Sequence, residues 1–404
     1  MGRRFGWLWA AYAVSAYGSG LGFGALPLLA VLVLHAGPAQ VSALSAVGPA
    51  VGALIAVPLA PWVEFRRKRP VMIGMDLVRF AAVGSIPVAY GLGWLSFAQL
   101  LVVSAVVAAA KIAFNAASGA FLKGLVPAED LLVANARFES TNWSSIAIGP
   151  PLGGAAIGIL GPVTTVVADS LSYLLSALGI TAIGGREEAP AVGGRRDTAR
   201  SGSLLDGWRH ILGDSGLRGL YLNNMAVSGL IMATEPVLAV LLLRQLRFPP
   251  WQYGLAFAAP CLGGLIGSRL ARRVLARYGR DWVFRVVGTL RAVWLIGLAF
   301  VGPGVVGLLT VMAVELAIIV NMSLYSPVLA TYRLERTPKH LVARTLSAWS
   351  IGSQAAIAVC TALGGLLADV TGPRTTLVVA GVLILASPLL LPRGRQAVPA
   401  GVMS

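Results

Sequence analysis

The chain has 404 residues, of which 57% are hydrophobic and only 12% are charged. Soluble domains usually carry about twice that charged fraction, so this composition excludes the water-soluble classes. The formal net charge of +16 is large enough for a nucleic-acid binder, and the placement of the charges decides whether it indicates one.

Twelve apolar runs follow one another along the chain, bounded by charge clusters or by Gly and Pro turns. A helix needs about 20 apolar residues to cross a bilayer. Backbone groups in hydrocarbon must pair within their own segment, and the runs lack the alternation of barrel strands. We therefore predict an all-α integral membrane protein with twelve transmembrane helices. The runs cover residues 7–34, 41–63, 71–92, 97–119, 137–160, 162–183, 219–243, 252–271, 282–301, 303–326, 345–367 and 373–391.

Lys and Arg placement predicts the orientation in the membrane. With a cytoplasmic N-terminus, the predicted inner loops contain basic clusters such as residues 66–69 and 272–280, whereas the outer loops contain only Arg244, Arg247 and Arg374. This asymmetry predicts a multi-pass protein of the inner or plasma membrane with both termini cytoplasmic. Because the positive charge is spread over short loops that face anionic headgroups, no nucleic-acid partner is expected.

The chain resembles itself at an interval of 211 residues. We predict two six-helix, pseudo-symmetric halves, residues 1–183 and 217–404, joined by a cytoplasmic linker at 184–216 with a surface helix near 204–212. Two such halves place a solute site near the bilayer midplane between them. The matched positions are Pro49 and Gly52 with Pro260 and Gly263, Pro127 with Pro338, 152–154 with 363–365, and 161–165 with 372–376.

A charged sequence lies between the second and third predicted helices. It is similar to the acidic and basic loop signature of the major facilitator superfamily, with Ala60 and Arg67 in place of two glycines. A carboxylate at a helix end can pair with an Arg or a facing helix N-terminus in one state and release it in another. We predict a conformational latch here; the alternative is a basic loop that only sets topology. The latch residues are Glu64, Arg66, Lys68, Arg69, Asp76 and Arg79.

The fifth predicted helix carries a second motif, which resembles the Gly-x-x-x-Gly-Pro-x-x-Gly-Gly signature of the superfamily's exporters. Proline removes a helix hydrogen bond and glycine permits close helix approach, so a bendable, tightly packed seam is expected. Generic small-residue packing is the alternative. The motif residues are Ser145, which replaces the first Gly, and Gly149, Pro150, Gly153 and Gly154.

Two shorter segments, 132–135 (Leu-Val-Ala-Asn) and 169–173 (Asp-Ser-Leu-Ser-Tyr), resemble the macrolide-efflux and enterobactin-exporter branch of the superfamily. The resemblance implies the twelve-helix major facilitator fold. It also implies export of an amphipathic or hydrophobic small molecule, such as a drug, a natural product or a siderophore.

Charged residues within the apolar runs are candidates for proton coupling, because a charge at the bilayer centre costs at least about 2.5–3.5 kcal/mol. Glu315 is the first choice, since it lies in mid-run with no Lys or Arg nearby in sequence, followed by Glu235 and Asp169. Internal ion pairing is the alternative role for each. Other polar or aromatic residues in the runs are candidates for lining a solute cavity: Tyr17, Phe23, Lys111, Asn115, Arg291, Asn321, Tyr325 and Gln354.

These patterns together predict a secondary active transporter, not an enzyme. It would export its substrate by proton antiport with alternating access, as a monomer in a lipid bilayer, using the proton motive force and no cofactor. No metal site is expected, because His35, His210 and His340 show no ligand spacing. An importer or facilitator is the main alternative, and a polytopic membrane enzyme a more distant one.

Overall fold

The computed structural model describes residues 2–22, 24–64, 66–127, 130–184, 205–258, 260–338 and 341–391. All regular elements in these ranges are helices, and no strand occurs among them. The α-helices are α1 Arg3–Leu21, α2 Ala25–Leu32, α3 Pro38–Glu64, α4 Lys68–Gly91, α5 Phe97–Leu125, α6 Leu131–Leu160, α7 Pro162–Thr181, α8 Leu205–Gly213, α9 Ser215–Val240, α10 Pro250–Ala258, α11 Cys261–Tyr278, α12 Arg280–Trp282, α13 Gly288–Val293, α14 Gly304–Glu335, α15 Val342–Thr371 and α16 Pro373–Leu385.

The described helices supply enough apolar length for twelve membrane crossings. Eleven spans of the described residues are long and apolar enough, and Pro250–Gly264 with Arg269–Tyr278, bent by 47°, makes a twelfth if counted as one broken span. The predicted fold class is therefore confirmed. The helices extend beyond the predicted runs, as in α14, which ends at Glu335 rather than near residue 326. A run of apolar residues marks only the part in hydrocarbon, whereas the helix continues into the polar interface.

Successive spans joined by short turns run antiparallel, which gives the bundle two faces. We call the face that carries α8 and the turn at 66–67 the linker face, and the face that carries the turns at 33–37, 92–96 and 246–249 the distal face. The short helix α8 packs on α9 and α15 at the linker face. It matches the surface helix predicted near 204–212, and the division of the chain into two halves stays a prediction.

One pair of turns has the same backbone geometry at the predicted interval of 211. Gly161 joins α6 to α7 with φ 84° and ψ 162°, and Gly372 joins α15 to α16 with φ 89° and ψ 157°. Each glycine occupies a positive-φ conformation that residues with a Cβ rarely adopt. Pro162 and Pro373 then begin the next helices, where a missing N–H has no consequence.

The first and ninth spans depart from regular α-helix. The first is interrupted between α1 and α2 near Gly24, which has φ 75°. The ninth passes from α12 through a π-helical segment at Val283–Val287 and α13 to a 3₁₀ segment at Trp294–Phe300. Segments of π and 3₁₀ geometry inside a helix often mark sites of bending.

Candidate functional site

A cavity of about 600 Å³ lies between the spans, and we call it the central cavity. Seven helices contribute to its walls: α1, α4, α5, α6, α9, α10 and α14. Most of the wall surface is apolar, and Phe114, Phe257 and Met322 are among the residues that line it. This size and lining are typical of sites for small organic molecules.

Two carboxylates line the central cavity, Glu235 of α9 and Glu315 of α14. Both side chains are only partly buried, and neither forms a hydrogen bond or an ion pair with another described residue. Pro236 follows Glu235 directly within α9. A proline removes the hydrogen bond to the carbonyl four residues earlier, here that of Met232, which also lines the cavity.

A second cavity of about 660 Å³, the side cavity, is lined by α2, α3, α4, α5, α7 and α15, together with Gly22 just after α1. Asp169 and Gln354 lie on its wall, and Lys111 and Asn115 line both cavities. The Asp169 Oδ2 atom accepts a hydrogen bond of 3.4 Å from the Tyr173 hydroxyl, and its Oδ1 atom is buried without a partner among the described residues. Of the three predicted proton carriers, Glu235 and Glu315 thus line the central cavity, whereas Asp169 lines the side cavity.

Arg79 forms a buried ion pair with Asp76 one helical turn earlier on α4. Asp76 is fully buried and Arg79 is 4% exposed. The Arg79 guanidinium lies 4.7 Å from the ring centroid of Phe114 and 4.4 Å from that of Tyr173. These contacts offset part of the cost of burying the charge. The pair therefore joins α4, α5 and α7 beside the central cavity, and a latch function for it stays a prediction.

Arg291 of α13 occupies a comparable position in the last six spans. Its guanidinium lies 3.7 Å from the centroid of Tyr325 and donates a hydrogen bond to Asn223 Oδ1. Tyr325 follows Phe114, the ring beside Arg79, by the repeat interval of 211 residues. Arg291 follows Arg79 by 212 residues. The residues 211 and 212 positions after Asp76 are Val287 and Gly288, so no carboxylate matches Asp76 at either offset.

The predicted exporter motif forms a close helix-to-helix seam. A Cβ on Gly149 would lie 2.5 Å from the Gly20 Cα atom of α1, and a Cβ on Gly153 would overlap the Leu21 carbonyl. Ser145 is buried, and its hydroxyl donates to the Asn142 carbonyl at 2.8 Å. Glycine is therefore required in this seam by the backbone approach.

The remaining latch residues lie at the junction of α3 and α4, with Glu64 ending α3, Arg66 in the loop, and Lys68 and Arg69 beginning α4. Arg69 Nε donates to the Ile180 carbonyl at 3.1 Å and its Nη2 donates to the Thr181 carbonyl, which ties the start of α4 to the end of α7. Lys68 Nζ donates to the Arg66 carbonyl at 2.8 Å. The side chain of Glu64 lies outside the described residues.

Four predicted cavity residues lie elsewhere in the bundle. The Tyr17 hydroxyl is 2.7 Å from Ser144 Oγ of α6. Asn321 Nδ2 donates to the Ala317 carbonyl of its own helix at 2.8 Å. Arg291 and Tyr325 pack behind the wall, where Arg291 Nη1 is 3.9 Å from the Met322 sulfur. Phe23 lies outside the described residues.

Sequence reasoning missed several residues of the central cavity, including Phe114, Asn142 and Met322. Phe114 could have been found from the sequence, because it lies 211 residues before the candidate cavity residue Tyr325. Asn142 and Met322 had no such signal. Which side of an all-apolar helix faces a cavity depends on its rotation in the bundle.

Contacts between the first six and the last six spans are seen at the distal face. Arg244 Nη1, after α9, donates to the Ala36 carbonyl at 3.0 Å. A Cβ on Gly154 of α6 would lie 2.9 Å from the Gly254 Cα atom of α10. These contacts join the two sets of six spans at the distal face, and we interpret this face as closed.

The family model described as the Major Facilitator Superfamily matches residues 8–314 and 231–400. The chain belongs to this superfamily. It is therefore a multi-pass membrane transporter, as its sequence indicates.

A similar relative is the "Multidrug efflux pump Tap" of Mycolicibacterium fortuitum, which is 27% identical over 404 residues, covering 95% of this chain and 92% of the relative. The crystal structure of the nucleoside transporter NupG aligns with a TM-score of 0.75 and 9% identity, covering 96% of this chain and 99% of that one. A bacterial homologue of the iron transporter ferroportin in an inward-facing state aligns with a TM-score of 0.77 and 17% identity, over 96% and 97% of the two chains. The structural likenesses show the shared major facilitator fold.

Proposed function

We propose that the chain exports an amphipathic or hydrophobic small molecule, such as a drug, a natural product or a siderophore, by proton antiport. The observation that carries this proposal is the central cavity of about 600 Å³, which is largely apolar and holds Glu235 and Glu315. An apolar wall suits an apolar solute, and a carboxylate without a fixed partner is available to a proton or a cation. The similarity to an efflux pump over most of both chains supports the direction.

The closure of the distal face supports alternating access. With both termini cytoplasmic, a bundle closed at the distal face loads its substrate from the cytoplasm. Rocking one set of six spans against the other would separate the contacts of Arg244 and Gly154 at the distal face and expose the cavity to the exterior. We propose that the chain works in the plasma membrane as a monomer, without a cofactor or a nucleic-acid partner.

Proton coupling requires that substrate and proton favour opposite states. In the inward-facing state an ionised Glu315 would attract a solute with a cationic group; after opening to the exterior, a proton would displace that solute. Each elementary charge moved inward gains about 2.3 kcal/mol per 100 mV. Since about 1.4 kcal/mol corresponds to a factor of ten, one proton per cycle at about 100 mV sustains an outward gradient of more than tenfold for a solute without net charge. For a monovalent cation the exchange moves no net charge, and the pH difference drives it.

The test is accumulation of a fluorescent cationic dye in everted membrane vesicles, whose lumen corresponds to the cell exterior. Acidifying the lumen should drive dye inward in the wild type. Glu315→Gln should abolish this response at wild-type protein levels and should also weaken dye binding to the purified protein, and Glu235→Gln should reduce the response. Unchanged accumulation in both variants would remove these carboxylates from the mechanism.

Glu335→Gln is the matched control on the same helix, because Glu335 is an exposed residue that pairs with Arg280 at 2.5 Å outside the cavity. It should leave the acid-driven accumulation unchanged. Dye that leaves the vesicle lumen under the same gradient would instead support the importer alternative.

A further inference from the structure

Lys111 lies in the middle of a membrane span, fourteen residues from each end of α5 (111 minus 97, and 125 minus 111). Its side chain is exposed to the cavities rather than packed in the core. It forms no hydrogen bond or ion pair with another described residue. An ammonium group at this depth is costly, so its presence indicates a function.

The wall of the central cavity carries charges of both signs, which come from different sets of spans. Lys111 belongs to α5, which packs on α1, α3 and α4. Glu235 and Glu315 belong to α9 and α14, which pack on helices of the last six spans, including α15 and α10. The first six spans therefore contribute the positive charges of the wall, Lys111 and the Arg79 that is paired with Asp76, and the last six contribute the two carboxylates.

Asp169 is the acidic residue that shares the side cavity with Lys111. Its Oδ2 atom accepts from Tyr173, and its buried Oδ1 atom has no partner among the described residues. Lys111 is thus not held by a carboxylate in this conformation. Its amine is available to an anionic group that enters the central cavity.

We propose that Lys111 binds the anionic group of a zwitterionic amphipathic solute whose cationic group faces Glu235 and Glu315. A simple anion would be repelled by the two carboxylates, and a simple cation gains nothing from the amine. A zwitterionic solute can pair its anionic group with the amine and its cationic group with the carboxylates, so the charge arrangement selects for this class. The inference rests on the proposed export function and names its preferred substrates.

The test uses two dyes that differ in one carboxylate. Rhodamine B carries a free carboxylate beside its delocalised cation, and rhodamine B ethyl ester has that group blocked. In everted vesicles with an acidic lumen, Lys111→Met should lower rhodamine B accumulation by about tenfold or more and leave that of the ester within about twofold. Lys111→Arg, which keeps the positive charge, should restore much of the rhodamine B accumulation.

Lys123→Met is the matched control, because Lys123 is exposed in the last turn of the same helix and lines neither cavity. It should affect neither dye. Equal losses of both dyes in Lys111→Met, or no loss of rhodamine B, would overturn the inference while leaving export intact. If the wild type accumulates neither dye and purified protein binds neither, the proposed function fails together with the substrate class.

Discussion

Gly154 of α6 faces Gly254 of α10 so closely that a Cβ on Gly154 would lie 2.9 Å from the Gly254 Cα atom. The same added atom would lie 3.1 Å from the Pro250 carbonyl oxygen. This contact joins the fifth span to the eighth at the distal face. Even one added carbon at Gly154 would therefore force α6 and α10 apart at the distal face.

Gly154→Val should slow export, because a side chain at this position must push α6 and α10 apart. Overpacking of this kind costs about 1–3 kcal/mol. A penalty of that size shifts the equilibrium between the states with the distal face closed and open by roughly 5- to 150-fold. We expect at least about a fivefold lower initial rate of dye accumulation in everted vesicles, at matched protein levels.

Gly158→Val provides the control one turn further along α6. A Cβ on Gly158 would meet only the Trp251 Cβ atom, at 3.9 Å, so the site has room for a side chain. This variant should transport at nearly the wild-type rate. Equal rates for the two valine variants would show that the contact between α6 and α10 does not limit transport.

Asp76→Asn should destabilise the protein, because it leaves the buried Arg79 guanidinium without its counter-charge. Breaking one partner of a buried ion pair costs about 3–5 kcal/mol. The double variant Asp76→Asn with Arg79→Met removes both charges and should recover part of that loss. Thermal unfolding of the purified protein in detergent checks the order of the three proteins. A double variant less stable than Asp76→Asn alone would contradict this account.

Arg79→Met and Arg291→Met should differ in stability although both remove a buried guanidinium that lies over an aromatic ring. Loss of Arg79 leaves the Asp76 carboxylate buried and unpaired, at a cost of about 3–5 kcal/mol. Loss of Arg291 leaves only the Asn223 amide oxygen without its hydrogen bond, at a cost of about 1–3 kcal/mol. Arg79→Met should therefore unfold at the lower temperature in the same detergent assay, and the reverse order would refute the comparison.

The spans were predictable from sequence because lipid requires each apolar segment to satisfy its own backbone. The repeat also predicted one local geometry, since Gly161 and Gly372 share a positive-φ turn. The matched prolines do not mark the bends. Pro49 lies inside the continuous helix α3, and the 47° bend of the eighth span lies between Gly264 and Arg269, after Pro260. A proline permits a bend, and packing against neighbouring spans decides whether one forms.

The site was only partly predictable. Glu235, Glu315 and Lys111 could be found because charge is rare in hydrocarbon, and all three line the central cavity. Tyr17 has the chemistry of a cavity residue, but its hydroxyl contacts Ser144 of α6. A helix that is apolar on every side carries no pattern that fixes its rotation. The contacts of a side chain on such a helix can therefore be read only from the packed structure.

The two faces of the membrane can be assigned with single cysteines in a background that lacks Cys261 and Cys360. Gly302 lies in the turn before α14 at the distal face, and Gly213 ends α8 at the linker face; a Cβ on either would meet nothing within 4 Å. Both sites therefore accept Cys without repacking. In intact cells a membrane-impermeant maleimide should label Gly302→Cys and should reach Gly213→Cys only after permeabilisation. The opposite pattern would place the termini outside the cell, and the same closed distal face would then favour loading from the exterior, which would reverse the proposed direction of transport.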